Sequence, residues 1–114
     1  MTSRGFQRLA LGFPETAGKA HQSHPDFRVV GKVFATLGYP DASWAMVKLT
    51  PEQQAEFVSA EPAVFVPVNG GWGRKGATNV KLRPAKIATV RSALAAAWCN
   101  RAPKHLARKF EAQL

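Results

Sequence analysis

Residues 44–62 run Trp44-Ala45-Met46-Val47-Lys48-Leu49-Thr50-Pro51-Glu52-Gln53-Gln54-Ala55-Glu56-Phe57-Val58-Ser59-Ala60-Glu61-Pro62, and they contain the sharpest change of period in the chain. The first six residues form a β-rich run in which either Ala45, Val47 and Leu49 or Trp44 and Met46 face the core; periodicity alone does not choose. Thr50 then has the chemistry of a helix N-cap, Pro51 suits the first helical position, and Gln53 stands three residues after the cap. This predicts a helix from 51 to about 60, with Phe57 and Val58 turned inward and Pro62 as its stop.

Working upstream, residues 27–39 read as a hairpin. Phe27–Val30 and Val33–Leu37 are its strands and Gly31 its tight turn, with Val33, Ala35, Leu37 and Tyr39 placed on one face by alternation. Pro40 to Ser43 forms a second turn. Segment 19–24 is a candidate edge strand followed by Pro25. Residues 3–11 form a first helix, capped by Ser3, with Phe6, Leu9 and Ala10 on one side and Gly12 and Pro14 at its end.

Working downstream, Val64–Val68 and Ala77–Leu82 are strands joined by a glycine-rich loop, Asn69 to Gly76. Together they read as a long hairpin with a basic tip, with Thr78, Val80 and Leu82 sharing one face. A long helix begins at Pro84, lined by Ile87, Val90, Leu94 and Trp98 at near-helical spacing. Asn100 to Ala102 breaks it, and Pro103 opens a last helix with Leu106 and Phe110 inward. Strands mostly precede helices, in the order α-β-β-β-β-α-β-β-α-α. That order predicts an α+β fold: a single antiparallel β-sheet with helices packed on one face. Residues 1–114 show no internal repeat and no linker, so they read as a single domain.

Composition narrows the function classes. Apolar residues make up 46% and charged residues 20%, proportions of a folded rather than a disordered chain. The single cysteine, Cys99, cannot form an internal disulfide, which favours a reducing, cytoplasmic setting. No apolar run approaches the ~20 residues of a membrane span. Arg4 and Arg8 near the start fit an ordinary helix better than a transit peptide. Net charge is +9, and it is unevenly placed. Residues 1–71 hold six basic and six acidic side chains, whereas residues 72–114 hold ten basic side chains against Glu111 alone. A field of that kind attracts polyanions, nucleic acid first and an acidic protein second.

Sites of catalysis are harder to find. Gly71-Trp72-Gly73-Arg74-Lys75-Gly76 matches G-x-G-x-x-G in letters, but a strand-like segment follows where a dinucleotide site needs a helix. Ala77 stands where a phosphate-binding P-loop needs lysine. Trp72 beside Arg74 and Lys75 has another use: cations next to an exposed ring can hold phosphate while the ring stacks on a base, unless Trp72 folds back onto the domain. His21, His24 and Asp26 are a possible metal set, but their extended setting favours polar surface histidines over ligands. Cys99 on an alanine-rich helix has no activating base. No catalytic residue, metal or cofactor is expected.

Several stretches, taken in order, resemble the MmcQ/YjbR family of small bacterial proteins. They are His24-Pro25-Asp26-Phe27-Arg28-Val29, Gly31-Lys32-Val33-Phe34-Ala35-Thr36-Leu37, Met46-Val47-Lys48-Leu49, Gly71-Trp72-Gly73-Arg74 with Gly76-Ala77-Thr78, and Ala102-Pro103-Lys104. The resemblance implies a CyaY-like (frataxin-like) fold and a DNA-binding role, and brings no catalytic residues with it. The acidic first-helix surface of frataxin-type iron binders is missing here, so an iron-donor role is not carried over. The expected function is low-specificity nucleic-acid binding by Arg74 and Lys75 at the tip, Lys81 and Arg83 at its base, and Trp72 as a stacking group. Lys32 extends that surface, and Lys104, Arg108 and Lys109 add phosphate contacts. The alternative is a non-enzymatic adaptor whose basic surface meets an acidic protein.

Overall fold

The computed structural model describes residues 1–21 and 24–112. Its strands are β1 (Thr16–His21), β2 (His24–Val29), β3 (Lys32–Leu37), β4 (Trp44–Lys48), β5 (Phe65–Pro67) and β6 (Ala77–Lys81). The helices are α1 (Ser3–Leu11), α2 (Pro51–Ala60), α3 (Gly71–Arg74), α4 (Ile87–Arg101) and α5 (Lys104–Ala112). The six strands make one sheet in the order β1-β2-β3-β4-β6-β5, with every neighbouring pair antiparallel. β6 lies between β4 and β5, so α2 carries the chain across the place that β6 fills.

The junction at Thr50 forms as its residues dictate. The Gln53 N–H donates to Thr50 Oγ1 at 3.1 Å and the Thr50 N–H donates to Gln53 Oε1 at 2.9 Å, a reciprocal capping box. Ala45, Val47 and Leu49 are buried, which resolves the alternation of β4 and leaves Trp44, Met46 and Lys48 on the opposite face. Thr78, Val80 and Leu82 are likewise buried. Phe57 packs on Phe65 with ring centroids 5.0 Å apart. α1 and α4 cover the same sheet face, where Phe6, Phe27, Phe34, Leu94 and Trp98 are fully buried. The Trp98 indole N–H donates to the Pro14 carbonyl at 3.0 Å, and Phe110 of α5 packs on Trp98 at 4.9 Å. α5 is therefore a second layer on α4. Among the described residues, no helix is long and apolar enough to cross a membrane.

The structure departs from the sequence-based expectation at several places, each with a physical cause. Pairing shifts between Phe27 and Arg28: Phe27 lies opposite Ala35, but Arg28 lies opposite Val33. The extra residue, Phe34, turns into the core, and Val33 moves to the other face. Strict alternation therefore holds for Ala35 and Leu37 but fails for Val33, while Tyr39 lies beyond the strand and is 54% exposed. The tight turn is Val30-Gly31, with φ of 47° and 81°, the conformation of a two-residue hairpin loop. Thr2 rather than Ser3 caps α1, accepting from the Gly5 N–H at 3.0 Å. The edge strand begins earlier than residue 19, at Thr16; Gln22 and Ser23 lie outside the described residues. α4 begins at Ile87 because Leu82–Ala85 closes a turn first, and this leaves Ile87 exposed rather than on the buried stripe.

The expected glycine-rich hairpin tip is a helical turn, α3, folded against the domain. Gly73 is buried against the Val68 backbone, and a Cβ there would collide with the Val68 carbonyl. Gly76 takes φ 112° beside the Leu49 carbonyl, with no room for a Cβ. These glycines serve close backbone approach, not flexibility.

Candidate functional site

The helices leave one sheet face open. A row of side chains crosses it through register: Asp26 opposite Thr36, Thr36 opposite Met46, Met46 opposite Asn79, and Asn79 opposite Val66. Above this floor lies a cleft of about 370 Å³, lined also by Val33, Tyr39, Lys48, Val68, Trp72 and Ala77. Tyr39 stands at the end where β3 leaves the sheet, stacked on His24 with centroids 3.9 Å apart. Trp72 and Lys48 stand at the opposite end, where β4 meets α2.

A second hollow, of about 260 Å³, adjoins the cleft and shares Lys48, Trp72 and Ala77 with it. Lys75 and Arg101 also line it, together with Thr50 and Pro51 at the start of α2. Lys48 Nζ lies 5.0 Å from the centre of the Trp72 ring and Lys75 Nζ lies 5.8 Å from it, both within cation–π range. Trp72 is nonetheless 66% exposed. The indole thus divides an apolar cleft from a cationic notch and faces solvent.

Local structure fixes each of these groups. α3 holds Trp72, and Gln54 Nε2 of α2 pins that turn by donating to the Gly73 and Ala77 carbonyls, each at 3.0 Å. Lys48 ends β4, and its carbonyl accepts from Asn100 Nδ2 at 3.1 Å. The same amide donates to Gln53 Oε1 at 2.7 Å, tying the notch to the capping box. Arg101 Nε donates to the Val33 carbonyl at 3.2 Å, which draws the end of α4 to the bulged strand. Burial, and secondarily the charge of Arg101, push the Lys48 ammonium below the usual lysine range. Among the described residues, none of Lys48, Lys75 and Arg101 forms an ion pair. The Asp26 carboxylate, at the other side of the cleft, takes a bidentate pair of hydrogen bonds from Arg28, both 3.1 Å.

The chain belongs to the YjbR family. The match of that family's profile covers residues 11–100. YjbR membership agrees with the solved structure of the Deinococcus radiodurans protein DR2400, which carries the domain DUF419. The two superpose with a TM-score of 0.66 at 14% identity, over 87% of this chain and 77% of that one, a likeness that shows the fold. Comparison with curated proteins finds no match. Within the YjbR match lie Tyr39, Lys48, Trp72 and Lys75; Arg101 and all of α5 lie beyond it.

The residues singled out from sequence do not all meet. Trp72 and Lys75 form the divided site, with Arg74 exposed on the same turn. Lys81 lies at the far end of β6, opposite Trp44 on the open face. Lys32 is exposed where β3 begins, and Arg83 is exposed just after β6. Lys104, Arg108 and Lys109 belong to α5, which packs on α4 in the helical layer, and none of them lines the cleft or the notch. Sequence reasoning missed Lys48, whose alternation with Trp44 and Met46 was the available signal. It also missed Arg101, for which a helix end gives none. The side chain of His21 lies outside the described residues, and among the described residues no group of three metal-binding side chains converges. Burial, then Glu111, push the Cys99 thiol up, away from the reactive thiolate.

Proposed function

We propose that this YjbR-family protein is a non-enzymatic nucleic-acid-binding protein of low sequence specificity, working in the bacterial cytoplasm, and that it binds through the surface around Trp72. The observation that carries this reading is a largely exposed indole with two lysines over its ring and Arg101 in the same hollow, none of the three in an ion pair among the described residues. Cations hold phosphates without reading sequence, and an aromatic face stacks on any base. An exposed ring needs an unpaired base, so single strands are the preferred ligand.

Competition between labelled single-stranded and duplex oligonucleotides tests this. Single strands should bind more tightly, and Trp72→Ala should weaken them by roughly 5- to 150-fold, the range of one base-stacking contact. Equal affinity of wild type and Trp72→Ala for single strands would remove Trp72 from the interface.

A further inference from the structure

The cleft and the notch differ in chemistry, and Trp72 and Lys48 belong to both. The cleft offers apolar walls from Val33, Met46 and Val68 and an aromatic ring at each end, Tyr39 and Trp72. Its volume of about 370 Å³ is near the lower end of the ~300–1,000 Å³ typical of small-molecule sites, so it suits one planar group rather than several. The floor is not wholly apolar. Thr36 and Asn79 point into it from the same row, on either side of Met46, and neither side chain is engaged in a hydrogen bond among the described residues. Such groups orient a heteroaromatic ring that carries donors and acceptors. The notch is the reverse case: three cations around a small hollow, with no carboxylate among the described residues lining it. Keeping Lys48 half-buried beside Arg101 works against the fold, and an anion seated between them would relieve it.

We infer that the cleft and the notch together form a single-nucleotide site, in which a base lies on the Thr36–Met46–Asn79 floor and its phosphate sits among Lys48, Lys75 and Arg101. The inference deepens the nucleic-acid reading: the base enters a defined pocket instead of stacking on the outer face of Trp72 alone. The nucleoside phosphate unit has two sources, a free mononucleotide or one residue of a single strand. Complementarity is the ground for this occupant. A planar, hydrogen-bonding, apolar-faced group joined to an anion matches an apolar, hydrogen-bonding cleft joined to a cationic notch.

The test is an amide and indole chemical-shift titration of the full chain with four probes: inorganic phosphate, a nucleoside, the four nucleoside 5′-monophosphates, and a short single-stranded oligonucleotide. A monophosphate and the oligonucleotide should each move Thr36, Met46 and Asn79 together with Lys48, Lys75 and the Trp72 indole. Phosphate should move the notch set only. Lys48→Met should weaken the monophosphate at least 5-fold, and Met46→Trp, which fills the cleft, should weaken it at least 10-fold. Asn79→Leu, a smaller change, guards against misfolding of the tryptophan variant and should also weaken binding.

The result is overturned if no monophosphate and no oligonucleotide shifts the floor residues. Oligonucleotide binding that moves Trp72 and Lys75 but not the floor, and survives Met46→Trp, would overturn the pocket while leaving nucleic-acid binding intact. Monophosphate shifts on floor and notch without oligonucleotide binding would uphold the pocket and remove the polymer as its source.

Discussion

Lys48 combines two properties that oppose each other. It continues the open-face alternation of Trp44 and Met46, yet the turn of α3 and the end of α4 close around it. Burial and the neighbouring Arg101 guanidinium lower its proton affinity in the folded state, so the charged form costs stability. Among the described residues, Lys75 and Arg101 are the charged groups lining the notch with it, and neither offsets that cost. Lys48→Met should therefore raise the melting temperature at neutral pH, by at most a few degrees because solvent screens the half-exposed ammonium and the change also removes its cation–π contact with Trp72, while weakening single-strand binding. The sign follows from linkage. Both states carry the proton at neutral pH, and the full penalty applies there. As pH rises through the depressed folded value, the folded chain loses its proton first and the advantage of methionine shrinks. Thermal melts of both proteins at pH 7 and pH 10 check this. A lower melting point for the variant at pH 7 would show that the ammonium stabilises the fold instead.

At the scale of elements, α3 is the part that creates the site. Without that turn Trp72 would sit on a mobile loop, and neither cleft nor notch would have its shared wall. Gly73→Ala and Gly76→Ala should each destabilise the protein by roughly 1–3 kcal/mol, the usual cost of forcing extra atoms into packed structure. Gly71→Ala is the contrast. A Cβ at that position meets only the tip of Arg74 at an ordinary 3.7 Å, so the change should be neutral or stabilising by up to ~1 kcal/mol. Denaturant titration of the three variants distinguishes a glycine used for close approach from one that merely occupies a helix. The same element marks the limit of what the sequence discloses. Thr50-Pro51-Glu52-Gln53 announces α2 because a cap, a proline and a glutamine act locally. Gly71–Gly76 reads as a loop because the reasons for its glycines, the Val68 and Leu49 carbonyls, lie outside the pattern and meet it only in the folded chain. Val33 escapes for a similar reason: a bulge depends on the partner strand, and period-two alternation carries no record of it.

Over the whole molecule, charge that is contiguous in sequence is divided in space. The ten cations of residues 72–114 suggest one basic surface. The fold instead sends Lys104, Arg108 and Lys109 to the helical layer and keeps Lys75, Lys81 and Arg101 with the sheet, where Lys48 joins them from the neutral first part of the chain. The α+β architecture and its single antiparallel sheet were legible because each strand and helix carries its own period. Which cations share a face was not, because that depends on how α4 and α5 stack.

This division gives the most direct measurement: the salt dependence of single-strand affinity, by fluorescence anisotropy from low to moderate ionic strength. Three to five phosphates held by the Trp72 surface should give a slope of log K against log salt of about −2 to −3.5. A slope near zero, or no binding at low salt, would contradict nucleic-acid binding at this surface. A slope near −7 would mean that the cations of both layers engage together, contrary to the placement of α5.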